Sequence, residues 1–484
     1  MRIVPTHPCL RVALCAALLS SMAAYAARPD GNSGEPNKPA KNSPSSPANP
    51  QAAEKASLYE GPGSCAATSC HGSVKPVAGS RIYQDEYSTW IIKDKHARAY
   101  QVLTEKLGVR IGKILKLKEE SKDAPKCLVC HALYTAPEQR ARAFDIKEGV
   151  TCENCHGASS AWLGPHTETR QKHEDSVKYL HMVDTRNVIV RTQKCLECHL
   201  GSPDKFVDHE MIAAGHPDLY FELDSFSAVM PRHWKVPREV PAGKPDEDGA
   251  WVGVRDWSTG QAVQLSADMK RLIWRAKAER YDLDKKEKID VWPEYSELSC
   301  VACHHSLGPA LSSWRQEHAY VGRRPGDPAW NNSRYAVFRL LAKQVDSASA
   351  QELDRHLLTV STEMSRLNPD RNTVTSAAAA AEPLAIRIAE RLSTMQYDPA
   401  VALRMMQRIT EDADQIALDD ESAAEQAAMA LDSLYIAYSR DTKPANAAEV
   451  RAAINELFKH VEMRSDYNAD QFASSLRRIN GMLH

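Results

Sequence analysis

The sequence predicts a mainly α chain with little regular sheet, in two parts. The front part carries paired cysteines on short helical turns, and the part behind it is an α-helical bundle. Three observations lead there. Five cysteine pairs, all between residues 65 and 304, run straight into a histidine. Beyond Pro325 there is no cysteine, and apolar residues recur at helical spacing. Ahead of both parts lies a Pro, Ser, Asn, Gly and Lys tract with almost no apolar residues.

The pairs are Cys127, Cys130, His131; Cys152, Cys155, His156; Cys195, Cys198, His199; Cys300, Cys303, His304; and the wider Cys65, Cys70, His71. In one helical turn, residues i, i+3 and i+4 share a face. Two thiols can then reach the two vinyl groups of a haem while the imidazole comes up beneath the iron, which is the attachment signature of c-type haem. Zinc ribbons use cysteines four at a time without a histidine after every pair, and thioredoxin-type pairs occur singly. In the first site Ala66, Ala67, Thr68 and Ser69 have to bulge outward for both thiols to serve one haem. Of 12 cysteines only Cys9 and Cys15 fall outside the motifs, so none remain for a structural disulfide. The expectation is a pentahaem cytochrome c domain at about residues 58–325, with five covalent haem c groups and their iron.

Residues 1–26 read as a secretory signal peptide. Arg2 and Arg11 are basic, Val12 to Leu19 is apolar, and Ala24, Tyr25, Ala26 form the cleavage site. The apolar run is well short of the roughly 20 residues a bilayer span needs. Leu14 is too bulky, and sits too far inside that run, for Cys15 to be a lipid-attachment site. Haem attachment in bacteria happens outside the cytoplasmic membrane, so the mature chain is expected in the periplasm without a transmembrane segment. Residues 27–57 are read as a disordered linker. Removing Arg2 and Arg11 with the leader takes the formal charge from −2 to −4. That disfavours nucleic acid and suits a basic or membrane-bound redox protein as electron donor or acceptor.

The gap from His199 to Cys300 holds Trp234, Trp251, Trp257, Trp274 and Trp292, for packing over haem faces or in ordinary core, and a Pro-rich loop near 231–245. Residues 326–484 are expected to be a haem-free bundle of six or seven helices, through which the protein could oligomerise. Its stripes are Leu353, Leu357, Val360, Met364, Leu367; Ile454, Leu457, Phe458, Val461; and Phe472, Leu476, Ile479, Leu483. Asp398 with Pro399 marks a helix start, and Ser376 with Ala377 to Ala381 suits another helix.

The sixth coordination position of each iron is left to be assigned. Outside the leader the candidates are His96, His166, His173, His181, His209, His216, His233, His305, His318, His356, His460 and His484; the last three lie in the cysteine-free part. Met182, Met211 and Met230 are thioether alternatives that would raise the potential.

The order of motifs resembles the multihaem cytochrome c-554 family from Cys65 to about His216. The matching features are Trp90 through His96, Ala97, Arg98, Ala99; then CLVCH; then Gly149, Val150, Thr151 leading into CENCHG; then His166 and CLECH. The resemblance implies that His96 serves the haem of His156, that His166 serves the haem of His199, and that His209 or His216 closes the haem of His71. It also implies that the haem of His131 lacks a strong distal ligand. His305 resembles the doubled histidine of small tetrahaem cytochromes, where the second histidine reaches a different haem.

Three functions fit. The first is an electron carrier passing single electrons between redox partners. The second is an oxidoreductase acting on a small nitrogen compound at an open iron, with the haem of His131 as candidate. The third is an electron-transfer scaffold docking a partner through the bundle. The lysine-ligated CxxCK site of the pentahaem nitrite reductases is absent.

Overall fold

The computed structural model describes residues 57–235, 249–304, 327–463 and 466–483. The signal peptide, nearly all of the linker, most of the Pro-rich loop, His305, His318 and His484 lie outside the described residues.

The front part strings short helices together: α1 Glu86–Lys93, α2 Lys106–Ile114, α3 Pro125–His131, α4 Cys152–His156, α5 His173–Leu180, α6 Val188–His199, α7 His209–Ala213 and α8 Leu223–Val229. None is long enough to be stable alone, so each depends on tertiary partners. Direct apolar packing among them is thin, with one small cluster of Tyr100, Leu103, Leu128 and Ala132.

The rest is a helical bundle: α9 Ala250–Ala276, then α10 Ser333–Val345, α11 Ser347–Met364, α12 Arg371–Thr394, α13 Pro399–Glu411, α14 Ala413–Asp419, α15 Glu421–Thr442, α16 Ala447–His460 and α17 Ala469–Met482. After α9 comes an antiparallel hairpin, β1 Arg280–Asp282 with β2 Glu287–Ile289, Arg280 opposite Ile289. Eight helices follow residue 326 among the described residues, against the six or seven expected.

One apolar core runs from Val188 on α6 through α9 to Leu483, so it crosses the expected boundary near residue 325. α9 lies along α12 and touches α10, α15 and α6. It is covered on nearly every side, which is why it lacks the one-sided stripe of a surface helix. Several of its buried polar groups are paired: Gln264 donates to the Phe221 carbonyl (2.9 Å), Ser258 meets the Tyr397 hydroxyl (2.5 Å), and Asp256 takes Arg191 from α6.

Most of the expected stripes form the core. Leu353, Leu357, Val360 and Met364 are fully buried, whereas Leu367 is 91% exposed. α11 has ended by then, because Asn368 precedes Pro369 and a residue before proline is driven out of helical geometry. Asp398 caps α13 by accepting the Val401 N–H at 2.7 Å, with Pro399 in its first turn. Trp251, Trp257 and Trp274 are core residues of α9, and Trp292 donates to the Pro369 carbonyl (2.8 Å). Of the five, Trp234 alone stands against a histidine, with its ring 5.1 Å from that of His233.

Leu272 is fully buried on α9. Leu272→Ala should cost about 2–5 kcal/mol and lower the thermal midpoint of the helical circular-dichroism signal. An unshifted melt would mean that α9 is not part of the bundle core.

Candidate cofactor site: paired histidines beside the cysteine motifs

Three motifs sit on helices as their spacing requires. α3 opens with Pro125 at its first position. α4 has a capping box, with the Thr151 N–H donating to the Asn154 side chain at 2.7 Å. α6 is capped by Asn187 and ends on His199. The fifth motif is a single 3-10 turn, closed by the His304 N–H on the Cys300 carbonyl at 2.7 Å. The first is a loop in which Ala67, Thr68 and Ser69 are exposed, and the His71 N–H reaches back to the Cys65 carbonyl at 3.2 Å. The loop closes so tightly that a Cβ at Gly72 would lie 1.8 Å from the Ala66 carbonyl oxygen.

Four motif histidines each face one histidine from elsewhere in the chain. The ring centres are 6.3 Å apart for His71 and His166, 6.2 Å for His96 and His199, 6.3 Å for His131 and His216, and 6.3 Å for His209 and His304. The angle between ring planes runs from 6° to 87° across the four. Rings in direct contact change their spacing with their angle. A spacing that holds while the angle turns is what two nitrogens on one axis produce. An imidazole nitrogen lies about 2 Å from a first-row metal it ligates, and its ring centre about 1.2 Å further, so two imidazoles on opposite sides of one iron would be centred about 6.4 Å apart.

The rings are aimed by their other nitrogen. Nδ1–H donates to Glu86 in His71 (2.9 Å), to Asp94 in His96 (3.0 Å), to the Ala99 carbonyl in His131 (2.9 Å), to the Leu163 carbonyl in His166 (2.6 Å) and to the Pro217 carbonyl in His216 (2.7 Å). Each of these acceptors leaves Nε2 unprotonated and outward, the form that ligates metal. The hydrogen bond to Glu86 raises the His71 pKa, while burial lowers those of His131, His216 and His199, the last to about 4. Two aromatic rings, Phe221 at 5.1 Å and Phe226 at 5.3 Å, wall His199. The donor set therefore fits haem: two thiols and one histidine per motif, with a second neutral imidazole opposite.

His96, His166, His209 and His216 all stand in these pairs, but the pairings differ from those the resemblance implies. His96 faces His199 rather than His156. Its carbonyl accepts the Val150 N–H at 3.0 Å, and Gly149, at φ +76°, lies so close that a Cβ there would sit 2.7 Å from that carbonyl. His166 faces His71 rather than His199, because the Trp162 and Leu163 carbonyls turn its ring that way. His216 faces His131, the site expected to be open, and His209 faces His304. Met182, Met211 and Met230 stand outside the four pairs, Met211 buried in α7. His173 spends Nε2 on Asp184 at 3.0 Å. His156 is the one motif histidine without an imidazole at that spacing among the described residues.

Thiols of neighbouring motifs lie close enough to shift one another. Interaction with Cys152 lowers the Cys65 thiol and raises that of Cys152, and interaction with Cys130 lowers Cys198 to about 7. Burial and the nearby Cys195 push Cys155 up to about 12. Inside the third motif Glu153 is buried and accepts the N–H groups of Glu60, Gly61 and Ser159 at 2.8–2.9 Å, tying the start of the described chain to α4.

Residues 64–157 match the family described as cytochrome c554 and c-prime. The stretch covers the first three motifs and His96. No curated protein and no solved structure matches the chain. A c-type cytochrome of electron transfer, with covalently bound haem and its iron, is what this match supports. Among the described residues no helix is long and apolar enough to cross a membrane.

Glu153→Ala removes the acceptor of three backbone N–H groups, two of them in the segment at 60–61. Leaving them unpaired should cost about 2–4 kcal/mol. Limited proteolysis should then cut first near residue 60. Wild-type resistance there would show that the carboxylate is not what holds this segment.

Proposed function

We propose that the mature protein is a periplasmic pentahaem c-type cytochrome that carries single electrons between redox proteins. The observation that carries this reading is the set of four imidazole pairs of constant spacing, each joining a motif histidine to one outside the motifs. Haem supplies one-electron cycling between ferric and ferrous iron. The chain's own residues hold the rings on axis and fix their tautomers, so that little rearranges when charge changes.

The mutual influence of these thiols supports an order of sites. Cys65 with Cys152 sets the first motif beside the third, Cys155 with Cys195 the third beside the fourth, and Cys198 with Cys130 the fourth beside the second. Lys126, at the second motif, pairs with Asp208 (3.7 Å), the residue before His209, which brings the fifth site alongside the second. Electrons would then pass first, third, fourth, second, fifth, or the reverse. Catalysis at an open iron of His131 is disfavoured by His216 at 6.3 Å. The scaffold reading draws on the bundle alone.

Intact mass of protein matured in a periplasm should show five haems, and a redox titration should show five one-electron couples. Four haems would remove the Cys65, Cys70 site. His96→Ala should keep five haems and turn one-fifth of the iron from low-spin to high-spin in the EPR spectrum; an unchanged spectrum would dismiss His96 as a ligand.

A further inference from the structure

We propose that the buried indole N–H of Trp162, with the Ser159 hydroxyl from the same turn, hydrogen-bonds a propionate of the haem held by His71 and His166. The proposal rests on the multihaem reading and adds to it two donors that orient one cofactor and set its potential.

Trp162 is 6% exposed, and its ring stands edge-on to that of His166, with 5.4 Å between centres and 88° between planes. Its carbonyl accepts from Nδ1 of the same histidine at 3.1 Å. His166 in turn is the imidazole stacked opposite His71, 6.3 Å away and 6° from parallel. Trp162 is therefore fixed against one ring of the first site by both its side chain and its backbone. Yet it belongs to neither of the two apolar clusters, so ordinary core packing does not account for its place.

A buried indole N–H normally finds an acceptor. Those of Trp90, Trp251 and Trp292 do, on the Val150 carbonyl (3.0 Å), Asp441 (2.9 Å) and the Pro369 carbonyl (2.8 Å). Trp162 Nε1 is buried with no partner among the described residues, and so is Oγ of the fully buried Ser159. The two lie on one turn, closed by the Trp162 N–H on the Ser159 carbonyl at 3.0 Å. Trp257 and Trp330 also lack an acceptor there, but they sit in the bundle core with no histidine ring beside them among the described residues. The rim of a haem is carbon except for its two carboxylates, which are the acceptors it brings to such donors. Two oxygens of one carboxylate suit two donors from one turn, and the charge strengthens both bonds. Donors on a propionate spread its negative charge, which favours ferrous iron and raises the potential.

The test uses the full haem-loaded chain. Trp162→Phe keeps an aromatic ring beside His166 and removes the N–H, while Ser159→Ala removes the hydroxyl. Both should keep five haems by intact mass and the wild-type EPR spectrum, because the axial imidazoles are untouched. Each should lower one of the five potentials and shift part of the propionate-bending band in the resonance Raman spectrum. Loss of packing against His166 could move a potential but not that band. In either variant an unmoved band overturns the proposal, whatever the potentials do. Should Trp162→Phe lose haem during maturation, Ser159→Ala decides by the same band. Intact mass separates the two readings: five haems in wild type uphold the multihaem reading even where the band stays, and fewer would undo that reading itself.

Discussion

The front part is organised by an axial constraint: two imidazoles must stand on one line, about 6.4 Å between ring centres, with each ring free to turn about that line. Neither cysteine spacing nor helix propensity imposes this, because the second imidazole lies 85 to 103 residues away in sequence and is brought opposite only by tertiary folding. The chain meets it by local means. A carboxylate or carbonyl takes the Nδ1 proton of five of the rings. Tight backbone contacts, such as Gly149 against the His96 carbonyl, bring the supporting segments close enough. Short helices suffice for this purpose, since each has only to present one face.

The bundle braces the later motifs rather than standing apart from them. Arg191 on α6, one turn before Cys195, pairs with Asp256 on α9. Arg271 and Arg275 of α9 close on Glu297, just ahead of Cys300, at 2.8 and 2.6 Å. Arg280 holds Glu294 at 2.5 Å, and Glu294 in turn accepts the His209 N–H at 3.0 Å. Breaking such a buried pair by removing one partner typically costs about 3–5 kcal/mol. Through these pairs, displacement of α9 would be felt at the fifth motif and at the histidine that faces it.

The motifs were legible because attachment chemistry is local: two thiols and an imidazole on one turn need only i, i+3 and i+4. The bundle was legible for the same kind of reason, since a period of 3.6 shows in Leu353, Leu357, Val360 and Met364 without knowledge of the partner helices. α9 escaped because a helix covered on nearly all sides has no stripe to read. The four facing histidines could be picked out as candidates from position, but which motif each faces could not. That choice depends on long-range contacts, such as the Val150 N–H on the His96 carbonyl, that leave no mark in spacing.

The acceptors of the Nδ1 protons also differ in a way that bears on electron flow. Burial opposes ionisation of Glu86 and Asp94, yet hydrogen bonds from His71 and His96 outweigh it and hold both carboxyls below their ordinary values. An ionised acceptor gives its imidazole anionic character and favours ferric iron, whereas a neutral carbonyl does so less. His131 and His216 both point to carbonyls. On the multihaem reading, the sites of His71 and His199 therefore sit lower in potential than the site of His131. Along the order first, third, fourth, second, the carboxylates lie at the first and fourth sites and the carbonyl pair beyond them. Electrons entering at the first motif would thus run downhill toward the second, which Lys126 and Asp208 join to the fifth.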